Sequence, residues 1–521
     1  MPIAEDQELL AFTNCKLEEK DGATLIINQR NNRELLVQKE VAITLTHLTH
    51  FKTLHQHASD LINLFPQLRG DLHGVQSVLR GVREAGIMFE AGEFITNLKK
   101  NPAASRDPSP ASRVFIITCD RPIALERLLA SMLDEGNLEI HDSVFVIDNS
   151  RSQSNIANNQ NIVGTFNNNS VKNVVYFGAK HQDMLLRYLL DSNLEEEGIR
   201  FLVDRKKWSN EASYGLSRNI CLLMSTGYRA LILDDDILCN AVRPPLIASG
   251  IVFGEIGNRQ ALFYESREYM QKISKSAGFN PLVAHLKVLG ENVSHAIKSL
   301  QNTELSQTAL IGCNAAFINA ISTRSHILIS QCGSWGDPGT HNPHWIMNLD
   351  DDSVERILKS SNGLSQALNN RACWVGHSRP CLSKNANISQ LTGLDNSRLL
   401  PPYFPIFRGE DNLFGTMTNY MHPDSLVANL NWAIPHLPIE DRSDRGALSP
   451  VVGNPGLGLL AQHISELIES DKPKNSRNCL KAFSDIFLNY SKSDEDEILS
   501  LFKSQRKKRL IEAVSQLKSR Q

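Results

Sequence analysis

Tyr228-Arg229-Ala230-Leu231-Ile232-Leu233-Asp234-Asp235-Asp236 is an apolar run that ends abruptly in three carboxylates. A short apolar run bounded in this way reads as a buried strand. Acidic residues at its carboxyl end sit on the rim of the sheet, where open α/β folds bind ligands. Clustered carboxylates repel one another, and a hard divalent cation such as Mg²⁺ or Mn²⁺ is their natural partner. Such an ion can grip a diphosphate and neutralise charge on a leaving group, which directs attention to a nucleotide-activated substrate.

Working outward, strands and helices alternate. Val114–Thr118 and Ser143–Asp148 read as strands and Pro122–Glu135 as the helix between them. A polar, Asn-rich loop is expected after Asp148, then strands at Val174–Phe177 and Ile199–Val203, and a helix over Tyr214–Thr226 that feeds the acid-tipped strand. This alternation predicts a parallel, doubly wound sheet. Near the N-terminus, Ala23–Asn28 and Glu34–Val37 are β-type runs. Amphipathic helical patterns cover 41–49, 53–65 and 72–85, and 86–90 closes as a short strand. Asn101–Pro110, with prolines at 102, 108 and 110, has the composition of a linker. Beyond residue 450 the chain turns helical and charged, and its acidic run at 494–497 and basic run at 506–509 read as solvated helix faces. The expected division is an accessory or recognition domain at 1–98, a linker at 99–112, a catalytic domain at 113–450 and a helical extension at 451–521.

Composition bounds the rest. A chain of 521 residues has room for two or three domains with a full-sized core. With 54 Lys and Arg against 57 Asp and Glu, the formal charge of −3 gives no reason to expect nucleic-acid binding. Met1-Pro2-Ile3-Ala4-Glu5-Asp6 lacks the basic and apolar regions of a signal peptide. No apolar run approaches the roughly 18 residues of a spanning helix. The nine cysteines contain no Cys-x-x-Cys pair and read as reduced core residues. A soluble cytoplasmic protein is expected, with a homo-oligomer left open.

Four segments then fall in a recognisable order: Thr118-Cys119-Asp120-Arg121-Pro122, Val146-Ile147-Asp148-Asn149-Ser150, Gly215-Leu216-Ser217-Arg218-Asn219 and Asp234-Asp235-Asp236. Residues 113–240 resemble the nucleotide-binding half of a GT-A fold glycosyltransferase, similar to family 2 enzymes. The fold class this implies is α/β: a GT-A (Rossmann-like, mostly parallel central sheet) catalytic domain, with a small α+β N-terminal domain and a helical C-terminal extension. The resemblance runs on to roughly residue 440, with 245–310 unaligned. It implies donor binding by Thr118, Asp120, Arg121, Asp148, Arg218, Asn219, Asp234 and Asp235. Ile311–Phe317 resembles the Gly-rich segment near donor sugar and acceptor, which adds Gly312 and Asn314. An ordinary tight turn is the competing reading there. The implied cofactor, Mn²⁺ or Mg²⁺, would be held by Asp236, by Asp234 directly or through water, and by His436 in Asn431–His436. Phe407-Arg408-Gly409-Glu410-Asp411 resembles the acceptor-side motif whose carboxylate is the catalytic base, with Asp411 first and Glu410 second.

A second triplet, Asp350-Asp351-Asp352, precedes a helical pattern and reads as a cap and first turn. His341, His344 and Trp345 sit with Gly336, Pro338 and Gly339 in what reads as a structured loop, with an acceptor pocket as the alternative. Residues 1–95 resemble winged-helix-like peptide-binding domains of the pyrroloquinoline-quinone peptide chaperone type. That implies a peptide or protein acceptor docked by strand addition. A packing or oligomerisation domain is the alternative. His47, His50, His55 and His57 read as exposed polar positions rather than a metal site.

The expectation is a metal-dependent, inverting glycosyltransferase of hexosyl type. It would use a nucleoside-diphosphate sugar, UDP favoured, and a peptide, protein or glycan acceptor. The alternatives are a non-catalytic nucleotide-sugar or peptide-binding protein and a sugar nucleotidyltransferase. The second of these usually needs a Gly-rich phosphate loop that Thr118–Ile123 lacks.

Overall fold

The computed structural model describes residues 7–100, 109–254, 259–300, 305–339, 345–346, 349–360, 363, 365, 371–386, 390–440, 456–468 and 475–519. His341, His344 and most of the linker segment lie outside the described residues. Among the described residues the chain is a mixed α/β protein around one large sheet of eleven strands. In chain order the strands are β1 (Leu10–Ala11), β2 (Cys15–Lys20), β3 (Ala23–Asn28), β4 (Arg33–Gln38), β5 (Phe89–Glu90), β6 (Ser112–Thr118), β7 (Ser143–Asp148), β8 (Val174–Phe177), β9 (Arg229–Asp234), β10 (Val252–Phe253), β11 (Gln260–Phe263), β12 (Ile327–Gly336), β13 (Cys373–Gly376), β14 (Cys381–Ser383), β15 (Leu391–Asp395) and β16 (Leu426–His436).

The order β8-β7-β6-β9 is parallel throughout, and it continues through β15, antiparallel to β9, into β12, β16, β14 and β10. This is the α/β sheet the sequence predicts, with its parallel half on the acid-tipped strand. Its strands read as apolar runs because both faces are covered: Phe115, Val114, Ile116, Leu231 and Leu233 have essentially no exposure. The helix Pro122–Glu135 starts on a proline, whose fixed φ and missing N–H suit the first helical turn.

Two secondary-structure expectations fail. The Asn-rich segment after Asp148 is a helix, Gln153–Asn169, and not a loop. Asparagine is a weak helix former, but Asn159, Val163 and Phe166 fall on one buried face, and tertiary packing outweighs propensity. Ile199–Val203 is the end of a helix, Glu196–Val203, and not a strand. The Glu195 carboxylate caps it by accepting from the Glu197 and Gly198 N–H groups, and Arg200 pairs with Glu196 and Asp204 one turn away on either side.

At the N-terminus β2, β3 and β4 form an antiparallel meander, followed by helices Lys39–Leu45, Leu54–Leu64 and Leu72–Glu84. Thr53 and Gln56 form a reciprocal capping box at the second helix. The closing strand is only the two residues of β5, and it pairs with β1 rather than with the meander. Leu9, Phe51, Phe89, Phe94 and Leu98 bury into the same core as Val114, Leu128 and Val146. His57 corrects the reading of exposed histidines: it is buried, with Nε2 at 2.8 Å from the Leu10 carbonyl.

Asp350 caps the helix Asp351–Lys359 through the Ser353 N–H, so this triplet is a helix start, as its sequence suggests. Trp345 packs on Phe263 with ring centroids 5.8 Å apart. The C-terminal helices Gly456–Ile468 and Ser476–Lys492 pack Leu457, Ile464 and Phe483 onto Leu413 and Met417 of the helix Glu410–Met421. Lys508 and Arg509 of the basic run reach back to Glu466 and Gln462 instead of facing only solvent. No disulfide joins the cysteines among the described residues. No described helix is long and apolar enough to cross a membrane.

Burial pushes His141 down to about 4 and both His285 and His377 down to about 3. A depressed native pKa means that the unfolded chain binds the extra proton first, near pH 6.5, so stability is full above that pH and falls below it. His141 alone accounts for about 3 kcal/mol once the pH reaches its native value. We expect the urea midpoint to fall between pH 6.5 and 4, and to fall less steeply in His285→Asn. Equal slopes would show that these imidazoles do not set the acid limit.

Candidate active site

The three carboxylates at the end of β9 face three directions and share four partners. Asp235 is buried; its Oδ2 accepts from the Thr118 hydroxyl at 2.7 Å and its Oδ1 from Arg121 Nη1 at 3.2 Å. Burial, reinforced by the neighbouring Asp236, pushes Asp235 up to about 7. Asp234 faces the other way, toward Arg218 Nη2 at 3.4 Å. Asp236 receives Arg121 Nη1 on Oδ2 at 3.2 Å and faces His436 Nε2 from Oδ1 at 3.3 Å. Arg121 also reaches Glu440 at 3.4 Å.

His436 ends β16, and its Nδ1 lies 2.7 Å from the Asp337 carbonyl oxygen. A carbonyl only accepts, so Nδ1 carries the proton and Nε2 points at Asp236. Burial opposes a charged imidazole there, but Asp236 and Asp337 outweigh it and hold the His436 pKa above its ordinary value.

On the far side of Arg218 the helix Glu410–Met421 begins after Gly409, whose φ of 96° lies in the left-handed region. Glu410 is buried, and burial together with the charge of Asp411 raises its pKa well above the usual carboxylate range. Asp411 Oδ1 accepts from the Asn412 N–H at 2.8 Å. Arg218 lies in the field of Asp234, Glu410 and Asp411, which keeps its guanidinium charged despite burial. It therefore links the two carboxylate groups electrostatically.

A cleft of about 280 Å³ opens beside this cluster, lined by Asp120, Arg121, Asn155, Asp236 and Glu440 among others. A larger groove of about 500 Å³ runs between helices Pro122–Glu135 and Gln153–Asn169. It meets the smaller cleft only at Pro122 and Ile123 and contains none of the clustered carboxylates. Of the clustered carboxylates, Asp236 opens on the smaller one.

Four expected donor contacts sit elsewhere. The Asp148 carboxylate is 2% exposed and accepts from the Ser150 N–H at 2.7 Å, Asn159 Nδ2 at 3.0 Å and the Tyr176 hydroxyl at 2.6 Å. It ties β7 to β8 and to the following helix. Asn219 Nδ2 donates to the Leu202 and Tyr403 carbonyls, and its Oδ1 accepts from the Tyr403 N–H at 2.7 Å. It is a staple between helix Tyr214–Met224 and the segment before Glu410. Gly312 and Asn314 contact the segment between helices Lys39–Leu45 and Leu54–Leu64: the Gly312 N–H donates to Phe51 O, and Asn314 bridges to His50. Asp120, by contrast, stays on the cleft, holding the Arg151 and Ser152 N–H groups and Asn155. The sequence gives no sign of Asp337, Arg371, Glu440 or Tyr403, whose ring lies 5.9 Å from Arg218. The clue to Asp337 is its place between Gly336 and Gly339, both with positive φ.

No protein-family model matches the chain. No curated protein sequence matches it. Among solved structures, one similar to it is S. aureus TarS, residues 1–349, in complex with UDP-GlcNAc, at 13% identity over 71% of this chain and 69% of that chain, with a TM-score of 0.29.

Asn219→Ala should cost about 3 kcal/mol, since it leaves the buried Tyr403 N–H and two carbonyls without their partner. Any binding of a nucleoside diphosphate at the cleft should survive in the folded fraction. Denaturant unfolding together with ligand titration checks this, and selective loss of binding at unchanged stability would return Asn219 to the donor site.

Proposed function

We propose that the chain is a hexosyl-type glycosyltransferase that takes a sugar from a nucleoside-diphosphate donor. The observation that carries this reading is the meeting of Asp236 with His436, 3.3 Å apart, at the carboxyl end of a parallel sheet and next to an open cleft. With Nδ1–H committed to Asp337, Nε2 is the ring nitrogen left to face the Asp236 carboxylate oxygen. Two electron pairs in that position call for a proton or a cation between them.

No group of three or more His, Cys, Asp or Glu that could hold a metal ion occurs among the described residues. Asp236 and His436 supply two donors. Two protein ligands suit Mg²⁺ or Mn²⁺ where substrate phosphates complete the shell. The residues therefore fit a diphosphate-bound cation better than a resident structural ion. When bound, that ion would supply positive charge to the departing diphosphate. Arg121 and Arg218 would add fixed charge on either side, and Asp120 would face the donor from the cleft.

Asp411, with Glu410 beside it, is the proposed base for an inverting transfer. Asp411 is the less buried of the two and can meet an acceptor hydroxyl, while Glu410 is buried and is held above the usual carboxylate range by burial and the Asp411 charge. UDP is the favoured nucleotide, and the acceptor is a peptide, protein or glycan. Residues 1–98 are proposed as the accessory module of this enzyme, and 451–521 as the helical extension that braces the helix bearing Glu410.

A metal-independent reading has one observation in its favour: Arg121 already places a guanidinium on both Asp235 and Asp236. Chelation separates the two readings. Thermal unfolding with a panel of nucleoside diphosphates should show stabilisation by UDP, several degrees at saturation by mass action. The shift should need Mn²⁺ and vanish in Asp236→Ala. A UDP shift that survives chelation would favour Arg121 as the cation, and no shift with any nucleotide would overturn the transferase reading.

Transfer should also fall as pH drops, because the base works only when deprotonated. Were Glu410 the base instead, the acid limb would lie above the ordinary carboxylate value of about 4, because burial and the charge of Asp411 raise its pKa. Asp411→Asn should cost at least about a hundredfold in kcat. Full activity in that variant would remove Asp411 from the base role.

A further inference from the structure

Asp337 follows β12 in the turn Gly336-Asp337-Pro338-Gly339. Its carboxylate has no solvent exposure and takes a two-pronged contact from Arg371, Nε to Oδ2 at 2.5 Å and Nη2 to Oδ1 at 2.7 Å. Oδ1 also accepts from the Gly339 N–H at 2.7 Å. The backbone of the same residue clasps His436 twice: the Asp337 N–H donates to His436 O at 2.9 Å, and Asp337 O accepts from His436 Nδ1.

The turn is shaped around that imidazole. A Cβ at position 336 would lie 2.5 Å from His436 O, and one at 339 would lie 2.7 Å from Gln390 Nε2 and 3.5 Å from His436 Cε1. Only glycine combines those approaches with φ of 108° and 76°. A buried ion pair is a poor stabilising device, because desolvation consumes most of its Coulombic gain. A pair of this kind, holding a turn that touches one functional side chain, is better explained by the side chain it orients.

We propose that Arg371 and Asp337 are positioning residues: their ion pair fixes the turn whose carbonyl holds His436 Nδ1–H, and so aims Nε2 at the cation position beside Asp236. This inference rests on the cation site proposed above. Outer partners of a ligating histidine set its tautomer and ring orientation, and their loss typically weakens metal binding about 10- to 100-fold.

The test uses the full chain and Mn²⁺ with inorganic pyrophosphate, a probe that does not depend on the nucleotide base, followed by the Mn²⁺ EPR signal. Arg371→Met should weaken Mn²⁺ binding about 10- to 100-fold, and Arg371→Lys should recover part of the loss. In ¹⁵N-histidine NMR spectra the Nδ1–H tautomer of His436 should be lost in Arg371→Met, which a merely structural role would not produce. Circular dichroism and metal-free melting establish that each variant is folded; if Arg371→Met is not, Asp337→Asn takes its place with the same expectation. A folded variant that binds Mn²⁺ within twofold of the natural protein overturns the positioning role and leaves the cation site standing. Equal Mn²⁺ binding by the natural protein and Asp236→Ala, or none by either, removes the cation site and this inference with it.

Discussion

Three adjacent carboxylates at the end of one buried strand cannot coexist without countercharge, and the surrounding structure is organised to supply it. At ~4 Å, two like charges near a protein surface repel by about 4 kcal/mol. Asp234, Asp235 and Asp236 divide the load by facing three directions: toward Arg218, toward Thr118 and Arg121, and toward Arg121 and His436. Each partner comes from a different element. Arg121 precedes the helix Pro122–Glu135, Arg218 sits in the helix feeding β9, and His436 ends the long strand β16. The site is therefore assembled from both halves of the sheet, and neither half balances the acids alone.

That division explains which parts the sequence disclosed. The acid-tipped strand, the helix Pro122–Glu135 and β7 are local features, written as apolar runs, a proline at a helix start and a charge at a strand end. Arg218 is legible for a similar reason, lying in the segment that directly feeds β9. Ile199–Val203 misleads because five mostly apolar residues carry no periodicity of their own, and the deciding cap lies before them at Glu195. The Asn-rich helix misleads in the opposite sense. Its composition argues for a loop, while Asn159 satisfies the buried Asp148 and Val163 and Phe166 bury a face.

Residue type alone also cannot separate a ligand contact from an internal staple. Asp148 and Asn219 are polar groups at element ends, where a substrate contact is a fair expectation. In both cases the hydrogen bonds go to the adjacent loop or to neighbouring elements of the chain. A buried polar side chain must be satisfied, and the fold satisfies these two internally.

Asp337 and Arg371 are the extreme case, 34 residues apart with no motif between them. They meet because β12 pairs with β13 in the register that sets Gly336 opposite Cys373, which leaves Asp337 and Arg371 within reach of each other just past the paired ends. On its other side β12 pairs with β16, after a register shift, so that Gly336 also lies opposite His436. One strand end thus fixes both contacts of the turn. Moving that register by one residue would turn side chains to the opposite face and part Asp337 from Arg371 and from His436 at once. The geometry at the acid cluster therefore depends on sheet pairing near Gly336 as much as on the acidic residues themselves, and a close backbone approach that only glycine permits is what makes the pairing fit.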